Sequence, residues 1–148
     1  MLDLINKDMS KPDLCRMKVL DVLGLYADII DELRRRGIVR SVNSPVADYA
    51  EHLVCAALSL RSAQKSAKGF DATDTNGRKY EIKARRETKQ SKPTRLSAIR
   101  DLEGNHFHYL VAVLFTEDFS VKRAAIISRT VSNAWLSGKS TSMPGFFL

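Results

Sequence analysis

Four residues in one short stretch have the types and spacing for hydrolytic chemistry: Asp71, and the triplet Glu81-Ile82-Lys83. Side chains two apart on a strand share a face, so Glu81 and Lys83 project together while Tyr80, Ile82 and Ala84 project the other way. An acid brought beside Glu81 makes a pair of carboxylates, which repel each other away from water unless a cation lies between them. Oxygen ligands from an Asp and a Glu suit Mg2+ or Mn2+, ions that keep several waters and accept a phosphate oxygen. Such a metal lowers the pKa of a bound water and offsets charge building on phosphorus. Lys83 would hold the attacking water or the phosphate, and the Ile82 carbonyl between the two side chains is a further candidate metal ligand.

This chemistry requires a particular hairpin. Gly69 to Asp74 and Arg78 to Ala84 read as two strands around Thr75-Asn76-Gly77, and Asn-Gly between strand-like runs is a strong hairpin signal. Residues directly opposite in an antiparallel pair share a face. A two-residue loop of Asn76-Gly77 would set Asp71 opposite Ile82, on the core side. A three-residue loop sets Asp74 opposite Arg78 and Asp71 opposite Glu81, with Gly77 in the left-handed position. The function demands the second register, or a bulge that restores it.

Other elements must carry this hairpin. Ser10-Lys11-Pro12-Asp13 reads as a helix start, and Val19, Val22, Leu23, Tyr26, Ile29, Ile30 and Leu33 recur at helical steps as one buried face. Arg34-Arg35-Arg36-Gly37 closes that helix, cations on its negative end and glycine at the stop. Ser44-Pro45 opens a second helix with a stripe of Val46, Ala50, Leu53, Val54, Ala57 and Leu58, followed by a polar loop from Arg61 to Lys68. Tyr109 to Phe115 is nearly all apolar, a strand covered on both faces. Thr116 to Ser120 is a turn and Val121 to Ile127 another strand. Short helices are expected over Leu96–Leu102 and Thr130–Leu136. The fold class is α/β (α+β), a mixed sheet flanked by helices, in a single domain: a helical extension over 1–42, a core over 43–137 and a tail over 138–148.

Asp71, the ten-residue step and Glu81-Ile82-Lys83 resemble the D…(D/E)xK signature of the PD-(D/E)XK superfamily, the restriction-endonuclease-like nucleases. The stretch from about Asn43 to Ile127 also resembles a small bacterial and phage group of such domains of unassigned function. The resemblance implies a core of helix, three strands, helix and strand, and a glutamate from the preceding helix joining the metal site. Glu51, in Asp48-Tyr49-Ala50-Glu51, stands at that place. It implies Asp71, Glu81 and Glu51 as metal ligands, Lys83 as the residue assisting the nucleophile, and DNA ahead of RNA as substrate. The sequence departs from the pattern in having Phe70 where the superfamily name has proline, and in the long basic segment after the triplet.

Composition fits that reading without carrying it. The 148 residues hold 24 basic and 17 acidic side chains, a net charge of +7 that suits a polyanionic partner. The charge is densest around the hairpin, where Arg85, Arg86, Lys89, Lys92 and Arg95 are candidates for phosphate contacts of a sequence-independent kind. No apolar run approaches the length of a membrane span, and the N-terminus has no signal-peptide pattern, so a cytoplasmic protein is expected. Cys15 and Cys55 read as reduced core or near-core thiols. His106 and His108 read as strand-edge or packing residues, and Asp74 as a turn residue. Cutting both strands of a duplex calls for a second copy, so a homodimer is one possible partnership, and no feature marks its interface. The competing readings are a nucleic-acid-binding module on the same fold with little or no cleavage, and a protein-interaction domain in which Asp71, Glu81 and Lys83 form only a solvated hairpin face with weak surface ion pairs.

Overall fold

The computed structural model describes residues 11–41, 44–64, 69–91, 104 and 106–131. Their order is a 3-10 turn at Leu14–Arg16, helices α1 (Val19–Arg35) and α2 (Val46–Ala57), and strands β1 (Arg61–Ser62), β2 (Ala72–Thr73), β3 (Lys79–Arg86), β4 (Tyr109–Phe115) and β5 (Val121–Ser128). The strands form one five-stranded sheet in chain order. All pairs are antiparallel except β3–β4. A parallel pair cannot be closed by a tight turn, and a long crossover must join its strands. That is the structural reason for the long segment between Arg86 and Tyr109, most of which lies outside the described residues, with the expected Leu96–Leu102 helix. Most of the expected Thr130–Leu136 helix lies outside them too.

The most buried strand is β4, between β3 and β5, with Leu110, Val111, Val113 and Phe115 all buried. One face of the sheet carries Ala72, Ile82, Val111, Val113 and Phe115 against Ala50 and Val54 of α2, with Val46, Tyr49 and Leu53 packed at the margin. Tyr49 stacks on Phe115 at 5.4 Å between ring centroids. The other face carries a second cluster of Phe107, Leu110 and Ile127. Strand β4 is thus apolar on both faces, as burial on both sides requires, while β3 is apolar only on the face toward α2.

Four expectations need correction. The polar loop from Arg61 contains the short strand β1, whose two exposed residues give no apolar period to detect. The first helix begins at Val19, after the 3-10 turn, and Lys18 caps it without a side-chain hydrogen bond. Its apolar face is not a buried face: Val19, Leu20, Leu23, Tyr26 and Ile29 are exposed and only Ile30 is buried. Periodicity reports that a helix has an apolar side and cannot report whether anything packs on it. Cys15 is likewise exposed, on the 3-10 turn, whereas Cys55 is half-buried beside the α2 core. Among the described residues no helix is long and apolar enough to cross a membrane.

Candidate active site

The site begins with the hairpin register. Ala72 pairs with Tyr80 and Thr73 with Lys79, a count that sets Asp74 opposite Arg78 and, continued by one regular step, would set Asp71 opposite Glu81. The Asp74 N–H donates to the Arg78 carbonyl at 3.0 Å, and the Gly77 N–H closes the loop on the Asp74 carbonyl at 3.1 Å. Gly77 has φ of +77°, a conformation costly to a residue with a Cβ. The Asp74 carboxylate accepts the N–H groups of Asn76 and Arg78, both at 2.9 Å, and is held below the usual carboxylate range by these bonds. Asp74 is therefore the turn residue the sequence suggests, and the register is the three-residue one that the chemistry needs.

At Asp71 the ladder steps by one residue. Its N–H donates to the Tyr80 carbonyl at 2.8 Å although Tyr80 is paired with Ala72, the irregularity of a β-bulge. The Asp71 carboxylate turns toward β3 and accepts the Ile82 N–H through Oδ2 at 2.7 Å. One oxygen is thus fixed on the backbone of the triplet. Burial raises the proton affinity of Asp71, and the charge of Glu81 raises it further; the Ile82 N–H, Lys83 and Arg40 act against this. Asp71 therefore sits within electrostatic reach of both members of the pair on β3.

Glu81 is 9% exposed, the one buried charged residue among those described. A buried carboxylate needs a partner, and the Lys83 ammonium supplies it at 2.5 Å. Pairing of Glu81 with Leu110 and Lys83 with Ala112 puts both on the sheet face away from α2. Ile82, paired with Val111, faces α2 as a core anchor.

Glu51 rises from α2, on the other side of the sheet. Its carboxylate is ion-paired with Arg40, whose guanidinium also donates to the Ser62 hydroxyl and the Ala63 carbonyl, both at 3.1 Å. Asp48, one turn earlier, accepts the N–H groups of Arg40 and Ser41 at 2.7 and 2.8 Å and so fixes the loop that carries the arginine. Burial pushes Glu51 up to about 7, with the charges of Asp71 and Asp48 adding to it and Arg40 opposing it. A close ion pair alone would lower this value. Burial and two neighbouring acids outweigh it. Arg40, Asp48, Glu51 and Asp71 line a pocket of about 330 Å³ together with Ser41, Ala63, Gln64 and Phe70.

The structure thus joins Asp71 to Glu81 and Lys83 on one side and to Glu51 and Arg40 on the other. Among the described residues no three His, Cys, Asp or Glu side chains cluster closely enough to hold one ion. Two carboxylates with the Ile82 carbonyl remain a donor set suited to a hard cation that keeps its waters. Burial first, and the charge of Glu81 after it, raise the proton affinity of Asp71, and a cation between two carboxylates would relieve their repulsion. The residue that sequence reasoning missed is Arg40. It lies in a loop eleven positions before Glu51, and a single arginine there has no periodicity or motif to mark it.

The basic segment is less uniform than its composition. Arg85 and Lys89 are exposed. Arg86 lies over the Phe119 ring at 4.4 Å with its Nε buried, and Glu87 is ion-paired with Lys122 at 2.7 Å. Lys92 and Arg95 lie outside the described residues. His108 serves the strand end, its Nδ1 accepting the Lys79 N–H at 2.9 Å.

Compared with known proteins, the chain matches no family model and no curated sequence.

Proposed function

We propose that this chain is a metal-dependent nuclease that hydrolyses phosphodiester bonds in nucleic acid, DNA ahead of RNA, in the cytoplasm. The observation that carries the reading is the hairpin register, with its bulge, that turns the Asp71 carboxylate onto the backbone of Glu81-Ile82-Lys83. A solvated hairpin face has no need of it, and a buried acid beside a second acid is costly unless it serves something.

Asp71, Glu81 and the Ile82 carbonyl would hold Mg2+ or Mn2+, which when bound supplies charge against the phosphate and acidifies a water. Asp71 keeps one oxygen on the Ile82 N–H and so presents the other in a fixed direction. Lys83 is ion-paired with Glu81 and places a cation where an attacking oxygen or a non-bridging phosphate oxygen develops negative charge. Glu51 is a more distant member, electrostatically coupled to Asp71 and held by Arg40. Its proton affinity near neutrality suits an outer role, adjusting the charge around Asp71 or taking a proton from the water that attacks. Arg85 and Lys89 would meet phosphates along the strand.

The deciding experiment is cleavage of supercoiled, linear and branched DNA and of RNA with Mg2+ and Mn2+, beside Lys83→Met. Metal-dependent cleavage that disappears in the variant supports the reading. Salt-sensitive DNA binding with no cleavage under any metal replaces it with the binding-module reading.

A further inference from the structure

At the end of the sheet where β3 and β4 begin and β5 finishes, a second pocket of about 280 Å³ is lined by Arg78, Phe107, His108, Tyr109, Arg129 and Thr130. We propose that it is a binding site for the phosphoryl group of a phosphate ester, with Arg78, His108 and Arg129 as its donors.

The lining residues bring two guanidinium groups, an imidazole and two hydroxyls, and no acid. The Nε of Arg129 is buried and meets no hydrogen-bond partner among the described residues. A buried orphan donor on a cation is costly and rare in a folded chain, and the arginine that carries it is one of those lining this pocket. The backbone around it is fixed, since the Arg129 N–H donates to the His108 carbonyl at 2.9 Å. His108 is pinned as well: its N–H donates to the Lys79 carbonyl at 2.8 Å, and its Nδ1 accepts the Lys79 N–H. With Nδ1 acting as acceptor, the proton of the neutral ring is on Nε2, a donor. Arg78 stands at the exposed mouth, where its charge is felt by Asp74. Arginine forks match the oxygens of a phosphate better than any other side chain. Buried Phe107, and Tyr109 stacked on Tyr80 at 5.2 Å, form a stiff aromatic wall.

The pocket's recognition of phosphate stands apart from metal chemistry. Only its place on the path of a nucleic acid rests on the proposed function. Arg78 stands immediately before β3, three residues ahead of Glu81, about 10 Å at the rise of extended chain. Phosphates recur every ~3.4 Å of helix axis along each strand of a duplex, so the pocket would hold a phosphate a few positions from the one attacked.

The test uses the full chain in EDTA. Orthophosphate at constant ionic strength should raise the melting temperature saturably, and chloride should not. Arg129→Gln and Arg78→Gln should each weaken the apparent Kd about tenfold or more, the worth of a charge-assisted hydrogen bond. Arg129→Lys, which keeps the charge and removes the fork, should fall between and guards against a glutamine variant that fails to fold. A 5′-phosphorylated oligonucleotide and its unphosphorylated twin identify the source. Arg129 dependence for the phosphorylated strand alone assigns a terminal phosphate, and equal dependence for both assigns an internal one. Orthophosphate stabilisation that is absent, or unchanged in both Arg78→Gln and Arg129→Lys, overturns the proposal. Absent cleavage with intact phosphate binding would instead count against the metal site alone.

Discussion

Replacing Glu51 with glutamine isolates the strain of its charge. Glutamine keeps the size of the side chain and an acceptor for Arg40, and removes only the ionisation. Glu51 is moved from its ordinary 4.5 to about 7 in the folded chain, by burial first and by Asp71 second. Between those two values the folded protein holds a proton that the unfolded chain has released. Stability therefore falls as pH rises through that window, and is level on either side of it. At about 1.4 kcal/mol for each tenfold in proton affinity, the whole step is worth about 3 kcal/mol. The Glu51 side chain is 16% exposed, so solvent screening trims this to about 2 kcal/mol. For a chain of this size that is about 6 °C in melting temperature. The assay is thermal unfolding of parent and Glu51→Gln in EDTA, from pH 4 to pH 8. The gap between the two should open by that amount in favour of the variant as pH rises past neutrality. Asp71, also raised, adds its own slope to both proteins, and only the part it owes to the Glu51 charge enters the difference. A gap that stays constant across the window would show that Arg40 neutralises Glu51 fully and that burial does not govern this site.

Asp71→Asn should abolish metal-dependent cleavage and keep the fold, because an amide oxygen still accepts the Ile82 N–H; Asp71→Ala orphans that N–H and should cost a further ~1–3 kcal/mol in denaturant unfolding. Lys83→Met should lower cleavage by about a hundredfold or more. It should also destabilise the chain by leaving Glu81 buried and unpaired, and Glu81→Gln in the same chain should restore the stability and not the activity. Arg85→Ala with Lys89→Ala should flatten the salt dependence of DNA binding by about one unit of slope for each phosphate that the protein no longer neutralises; Arg86→Ala would confuse that measurement by uncovering the Phe119 ring on which Arg86 lies. Gly69→Ala should unfold the entry to the hairpin, visible as a missing or early thermal transition, since Gly69 has φ of +80° and an added Cβ would lie 2.3 Å from the Cβ of His106.

By itself the sequence determined what local rules can determine. Tyr109 to Phe115 reads as a doubly covered strand and is β4, because continuous apolar character is the mark of burial on both faces. The need for Asp71 beside Glu81 and the glycine at Gly77 chose the hairpin loop between two registers, and Ala72 paired with Tyr80 is that choice. Tertiary structure decided the rest. Whether the apolar stripe of α1 packs on anything is a matter of neighbours, and Val19 and Leu23 are exposed although their spacing is that of a buried face. The bulge that turns Asp71 onto the Ile82 N–H depends on how one residue closes a ladder. Glu51 and Asp48 lie three residues apart on one helix, yet one becomes an anchor for the Arg40 loop and the other an ion with its proton affinity near neutrality. That division comes from burial and from Arg40, Asp71 and the backbone arriving through space, quantities that a list of residue types does not contain.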